Sequence, residues 1–220
     1  NGKNDLRLTS RMLRIALPLA FSAYARSALS TLEHLLVPRG LKSAGFSADR
    51  ALSGYGTIQG MVMPIISFPA CFLMALSELM IPELTEAQMR GERAEISRTV
   101  RSLLKKGSGY SLAVALAIFI FADRLGIAVY SSPEAGHFLR LLAPLIPIMY
   151  TDMLCDGCLK GLGQQMWNMG INVLDALLGV LLVWRVLPVY ALTGYICIIY
   201  FNECLNFALS MLRLRKVIRS

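Results

Sequence analysis

The sequence predicts an all-α, polytopic membrane helix bundle with six transmembrane helices, and three observations predict it. Hydrophobic residues fill 55% of the 220 positions and charged residues only 16%, with a mean hydropathy of +0.56. The apolar residues gather into blocks close to the ~20 residues a helix needs to cross the hydrocarbon of a bilayer. Basic residues flank these blocks instead of tiling one face, so the formal charge of +8 points to membrane phospholipid as the acidic partner and to no nucleic acid. The same composition excludes a disordered chain and a disulfide-rich secreted module.

The first span is expected at 15–37. The chain opens Asn1-Gly2-Lys3-Asn4, without an initiator Met, and reads as a piece cut from something longer. Pro38-Arg39-Gly40 is expected to end the span, because proline cannot continue the hydrogen-bond ladder and glycine frees the turn. The second span is expected at 51–81, with Ser47 as N-cap and kinks at Pro64 and Pro69. Segment 82–105 carries Ile96, Val100, Leu103 and Leu104 at helical spacing, with Glu95, Arg98, Arg101 and Lys105 on the polar side. It is expected as an amphipathic helix at the cytoplasmic headgroups. The third span, 106–122, is expected to stop at Asp123-Arg124. Ser132-Pro133-Glu134 combines a capping serine, an N1 proline and a first-turn acid ahead of the fourth, 133–159. The fifth and sixth are expected at 167–184 and 190–212.

Six spans put both termini on one side, and basic residues choose the side. With a cytoplasmic amino terminus, the inner segments hold 15 Lys and Arg residues against 5 outside, namely Arg39, Lys42, Arg50, Arg124 and Arg185. The expected location is the cell membrane, multi-pass, with both termini cytoplasmic.

A charge near the bilayer centre costs about 2.5–3.5 kcal/mol on insertion scales, so such residues face a cavity or a partner. Here they form stripes. At 100° per residue, Ser22, Arg26, Ser30 and Glu33 fall within an arc of about 80° on the first helix. Asp152, Asp156 and Lys160 share a face of the fourth, Asn168, Asn172 and Asp175 a face of the fifth, and Tyr195, Asn202, Glu203 and Asn206 a wider arc of the sixth. A shared water-filled cavity accounts for all four faces. The alternative is that Arg26 neutralises Glu33, or Asp152 pairs with Lys160, and the pairs merely glue the bundle.

Other signals are weaker. The five cysteines, Cys71, Cys155, Cys158, Cys197 and Cys204, all sit in apolar segments and read as reduced thiols between helices. Gly54, Gly56 and Gly60 do not match a nucleotide-binding glycine motif, but Gly56 and Gly60 fit the small-xxx-small spacing of close helix packing. His34 and His137 lack metal-ligand spacing, and no nucleophile constellation is visible, so no enzyme, no metal and no cofactor are expected.

Several strings resemble one family. The run 51–61, ALSGYGTIQGM, followed by Pro64 and Phe68-Pro69, resembles the second helix of the C-terminal lobe in stage V sporulation protein B-like polysaccharide exporters. Segment 81–87, IPELTEA, with Arg90-Gly91-Glu92, resembles the inner end of that helix and its basic loop. Segment 156–165, DGCLKGLGQQ, is similar to the turn between the fourth and fifth helices. The resemblance implies a flippase of the multidrug/oligosaccharidyl-lipid/polysaccharide superfamily, with two six-helix lobes, of which this chain is the second and the N-terminal lobe is missing. It implies a lipid-linked oligosaccharide substrate, such as lipid II, moved by alternating access. The alternatives are a cation-coupled small-molecule exporter of the same superfamily and a non-transporting structural membrane subunit. A diphosphate headgroup needs cations, and Arg26 is the one basic residue placed deep enough; Ser22, Ser30, Asp152, Asp156 and Asn168 complete the expected cavity. The resemblance further implies monovalent cation or proton coupling at Glu33, Asn172 and Asp175, although Asn172 and Asp175 are three apart where the family has four.

The charge bias makes the orientation testable. In intact cells, in a background lacking reactive native thiols, cysteine at Ser102 is expected to be protected from an impermeant thiol reagent and cysteine at Ser131 to react; the reverse pattern would discard the span assignment.

Overall fold

The computed structural model describes the backbone of residues 2–43 and 48–219 and the side chains of 17–18, 20–43 and 53–218. The expected N-cap Ser47 lies outside the described residues, as do the side chains of Lys3, Arg7, Arg11, Arg14, Arg50 and Arg219. Every described element is helical: α1 (Gly2–Ser43), α2 (Ala48–Thr57), a π-helical turn (Ile58–Val62), α3 (Met63–Arg90), α4 (Arg93–Tyr130), α5 (Pro133–Leu142), a 3₁₀ turn (Ala143–Leu145), α6 (Ile146–Gly161) and α7 (Gln165–Arg219).

The helices run further than their apolar blocks. Pro38 does not end α1, which continues to Ser43. Val37 and Leu41 are fully buried on either side of it, and the bare Gly40 lets Leu187 of α7 approach so closely that a Cβ there would stand 2.8 Å from the Leu187 Cβ. Packing on α7 outweighs the one hydrogen bond that proline removes. The amphipathic segment is likewise no separate element. Its first part completes α3, with Pro82 inside that helix, and its second part is the start of α4, continuous with the third span. The break is Gly91, left-handed at φ 74°. The Gly91 amide donates to the Gln88 carbonyl (3.1 Å) and the Glu92 amide to that of Ala87 (3.0 Å), the paired bonds of a Schellman cap. Gly163, at φ 68°, closes α6 by the same bonds, to Lys160 and Leu159.

α4 also runs past Asp123-Arg124, because Arg140 of α5 donates to the Asp123 carboxylate at 2.6 Å and neutralises it. Ser132 caps α5 as expected, its hydroxyl accepting from the Ala135 amide at 3.2 Å. The fourth segment is nonetheless divided, since Pro144 and Pro147 deprive the 3₁₀ turn of two donors. Pro64 follows the π-helical turn directly; its ring would crowd the Gly60 carbonyl in a regular helix, and widening the preceding turn relieves that clash.

The fifth and sixth segments form one unbroken stretch, α7, folded back at Ala191 (φ 51°, ψ −136°). The arms 165–190 and 192–219 lie antiparallel: a Cβ on Gly179 would stand 3.0 Å from Asn202 Nδ2, and Arg213 donates to Gln164. Among the described residues, four stretches are long and apolar enough to cross a membrane, Ser53–Arg90, Arg93–Tyr130, Pro133–Gly161 and Gln165–Ile218. With the two arms of the last stretch taken separately, these are five of the six expected spans, and α1 covers the remaining one.

α6 is the hub, packed against α3, α4 and α7, while α1 leans on α7. Tyr150 and Leu154 of α6 sit in the core. The Tyr150 hydroxyl donates to the Ile66 carbonyl (2.5 Å) and Tyr110 to that of Pro69 (3.0 Å), so two tyrosines tie α6 and α4 to the backbone of α3 around Pro69. Close helix packing occurs at Gly157 and Gly161 of α6 against Ser77, Ile81 and Leu84 of α3, not at Gly56 and Gly60, beside which nothing lies within 4 Å. Helix crossings, which spacing alone cannot locate, decide which pair is used.

Gly157→Val is therefore expected to overpack the α3–α6 contact at a cost of about 1–3 kcal/mol, read as a fall of several degrees in thermal unfolding in detergent. Gly56→Ala should leave the midpoint nearly unchanged. Equal shifts would contradict the assignment.

Candidate functional site

The polar stripes converge on one side of α7. A cavity of about 680 Å³ is bounded by α1, α3, α6 and both arms of α7, and Arg26, Glu78, Asp152, Asp156, Lys160, Asn172, Glu203 and Asn206 line it. Two smaller cavities adjoin. One, of about 430 Å³, has Ser22, Arg26, Ser30 and Asn172 in its wall; the other, of about 440 Å³, has Arg26, Asp156, Lys160, Asn168 and Asn172. Arg26 and Asn172 belong to all three.

Helical periodicity explains these placements. Ser22, Arg26 and Ser30 repeat every four residues on α1, and the Ser22 hydroxyl donates back to the Pro18 carbonyl (2.8 Å). Asn172 donates to the Asn168 carbonyl (2.9 Å) and to its side-chain oxygen (3.2 Å), one turn apart on α7. Asn168 is buried, and its side chain reaches Asp156 on α6. Ser210, from the second arm, faces the same carboxylate at 3.4 Å.

Arg26 stands on the cavity side of α1. It is exposed and forms no ion pair among the described residues, with Glu33 or any other carboxylate. Asp156, Asp175 and Glu203 lie within electrostatic reach of it without contact. Asp152 and Lys160 do not pair either. Among the described residues these charges are held near one another without direct salt bridges.

The expected coupling residues separate. Glu33 and Asp175 lie near each other, with Glu33 Oε2 standing 3.2 Å from where a Gly179 Cβ would be and Asn202 Nδ2 3.0 Å from the same point. Asn172 instead turns to Asn168 and the Arg26 cavities. Buried oxygens of Asp152, Asp175, Asn202 and Asn206 have no hydrogen-bond partner within the chain, and such atoms require water or a ligand. Among the described residues no set of three His, Cys, Asp or Glu side chains is placed to hold a metal ion. Cys155 and Cys158 are buried free thiols.

Sequence reasoning missed Glu78 and Tyr150, which enter the largest cavity from α3 and α6. Glu78 lies one position from the packing residue Ser77, a spacing that carries no periodic signal. It also missed a cluster beside the π-helical turn. His34 Nδ1 meets the Tyr55 hydroxyl, Tyr55 stands edge-on to Tyr195 at 5.6 Å, and Gln59 donates to the Tyr195 hydroxyl at 2.6 Å. Tyr55 and Gln59, four residues apart, share the face that meets α7, but their partner Tyr195 is distant in the chain.

Two known proteins are similar to this chain in sequence. Sporulation protein YkvU of Bacillus subtilis (strain 168) is 28% identical over 153 residues, 70% of this chain and 34% of its own length. Stage V sporulation protein B of the same organism is 24% identical over 183 residues, 81% of this chain and 34% of its own. The chain thus spans about a third of the length of these curated relatives. No solved structure matches. The MatE family profile matches residues 43–184, well over half the chain, whose apolar helices are those of an integral membrane protein: the chain belongs to the MatE family.

Proposed function

We propose that the chain is the C-terminal lobe of a transporter that flips an undecaprenyl-linked glycan, lipid II or a polysaccharide intermediate, by alternating access against an N-terminal lobe. One observation carries the reading: Arg26 stands at the junction of three cavities and forms no ion pair among the described residues. A guanidinium in that position calls for an anion, and its planar fork matches a phosphate bidentately. Ser22, Ser30 and Asn172 supply neutral hydrogen bonds beside it, and Asn168, Asp152 and Asp156 are suited to sugar hydroxyls. Glu33 and Asp175, which lie near each other, would take the coupling cation or proton. The names of the two relatives support a sporulation setting.

The second reading, a cation-coupled small-molecule exporter, draws on the acidity of the largest cavity, where Glu78, Asp152, Asp156 and Glu203 outnumber Arg26 and Lys160. It lacks the aromatic lining that lipophilic cations favour, since Tyr150 is the one aromatic residue among those bounding that cavity.

Flipping of labelled lipid-linked sugar by the full-length protein separates the cases. Arg26→Ala is expected to abolish it at normal expression, and Arg26→Lys, which keeps the charge but loses the fork, to retain part of it. The double change Arg26→Ala with Glu33→Ala should stay inactive. Restored flipping in the double variant would make Arg26 a charge partner of Glu33 and remove the binding role.

A further inference from the structure

The end of the bundle away from Ala191 brings together two basic runs that lie far apart in the sequence. Residues of α4 and of the second arm of α7 enclose two adjoining cavities there. One, of about 420 Å³, has Arg93, Arg213 and Lys216 around Ile96 and Ile218, with Gln164 at one side. Its neighbour, of about 320 Å³, has Arg101 and Arg215 above Val100, Leu104 and Leu214. Ile218 belongs to both. Each cavity has an apolar floor and a cationic rim.

The cations are not consumed by carboxylates. Of the basic residues at this end, Arg90 alone forms an ion pair among the described residues, with Glu86. Glu92 and Glu95, the other acids at the start of α4, form no ion pair among the described residues. Arg213 is fixed by neutral groups: it donates to Gln164 Oε1 from Nε (3.1 Å) and Nη2 (2.5 Å), and its guanidinium carbon lies 4.7 Å from the centre of the Trp167 ring. That clamp holds the charge in place while leaving it unneutralised. The first turn of α4 has no side-chain cap, so its free amides add positive potential at the same mouth.

Trp167 sets the depth. Tryptophans concentrate at membrane interfaces, and Trp167 and Trp184 stand 17 residues apart on one arm, about 26 Å at the helical rise, close to the thickness of a bilayer's hydrocarbon. The basic cavities therefore sit at headgroup level. We propose that this groove is a binding site for an anionic phospholipid, with Arg93, Arg213 and Lys216 on the phosphate and an acyl chain along Ile96, Val100, Leu104 and Leu214. It is distinct from the Arg26 cavities and does not depend on what they transport.

Native mass spectrometry of the full-length protein, in detergent with equimolar phosphatidylglycerol and phosphatidylcholine, tests it. The wild type should retain phosphatidylglycerol several-fold over phosphatidylcholine. Arg93→Gln with Lys216→Gln should bring that ratio close to one, and Arg101→Gln alone should lower it in part. Arg98→Gln with Lys105→Gln removes the same charge from residues outside both cavities and should leave the ratio intact. No preference in the wild type, an unchanged ratio in the first double variant, or equal loss in the second would overturn the site. Loss of bound lipid to millimolar inorganic phosphate, with a phosphate adduct in its place, would make the ligand free phosphate and overturn the lipid assignment.

Discussion

Hydrocarbon accepts a charged side chain only at a cost of about 2.5–3.5 kcal/mol on insertion scales, and an unpartnered polar atom pays a related penalty. This constraint orders the bundle. α1, α3, α6 and α7 each carry polar residues midway along otherwise apolar helices, and each turns them toward the same space. Arg26, Asp152, Asp156, Asn172 and Glu203 would be untenable one by one against lipid; around a shared cavity they can be hydrated together. The buried oxygens without partners on Asp152, Asp175, Asn202 and Asn206 mark where water or a ligand must enter.

The packing serves that convergence. α6 reaches the centre because Gly157 and Gly161 let it lie against α3, and the Tyr150 hydroxyl ties it to the Ile66 carbonyl of that helix. The fold-back at Ala191 places Asn202 opposite Gly179, so both arms of α7 contribute walls. Charge is distributed by the same logic. Inside the bundle the carboxylates outnumber the cations around one cavity, and at the end away from Ala191 the cations gather on an apolar groove.

Much of this was legible beforehand, and the reason is geometric. A stripe such as Ser22, Arg26 and Ser30 follows from the 3.6-residue turn alone, and those three do share a cavity wall with Asn172. The Ser132-Pro133-Glu134 start of α5 is a local signal and reads locally. What stayed hidden depends on partners distant in the chain. Asp123 looked like a terminus until Arg140 neutralised it, and Pro38 looked like a stop until Leu187 packed on Gly40. Gly56 and Gly60 have the spacing of a packing motif, yet no helix lies on them. Gln59 meets Tyr195, a partner 136 residues away that local spacing cannot identify.

The account rests on the convergent space being wet, and reactivity of cysteines in the full-length protein, lacking native thiols, measures that directly. Cysteine at Asn172, which borders all three cavities, should react readily with a small water-soluble methanethiosulfonate. Cysteine at Leu177, exposed on an apolar face of the same arm, should react far more slowly because lipid excludes the reagent. Equal inertness at the two positions would mean that the stripes are sealed against each other as interhelical glue, with no cavity for a substrate.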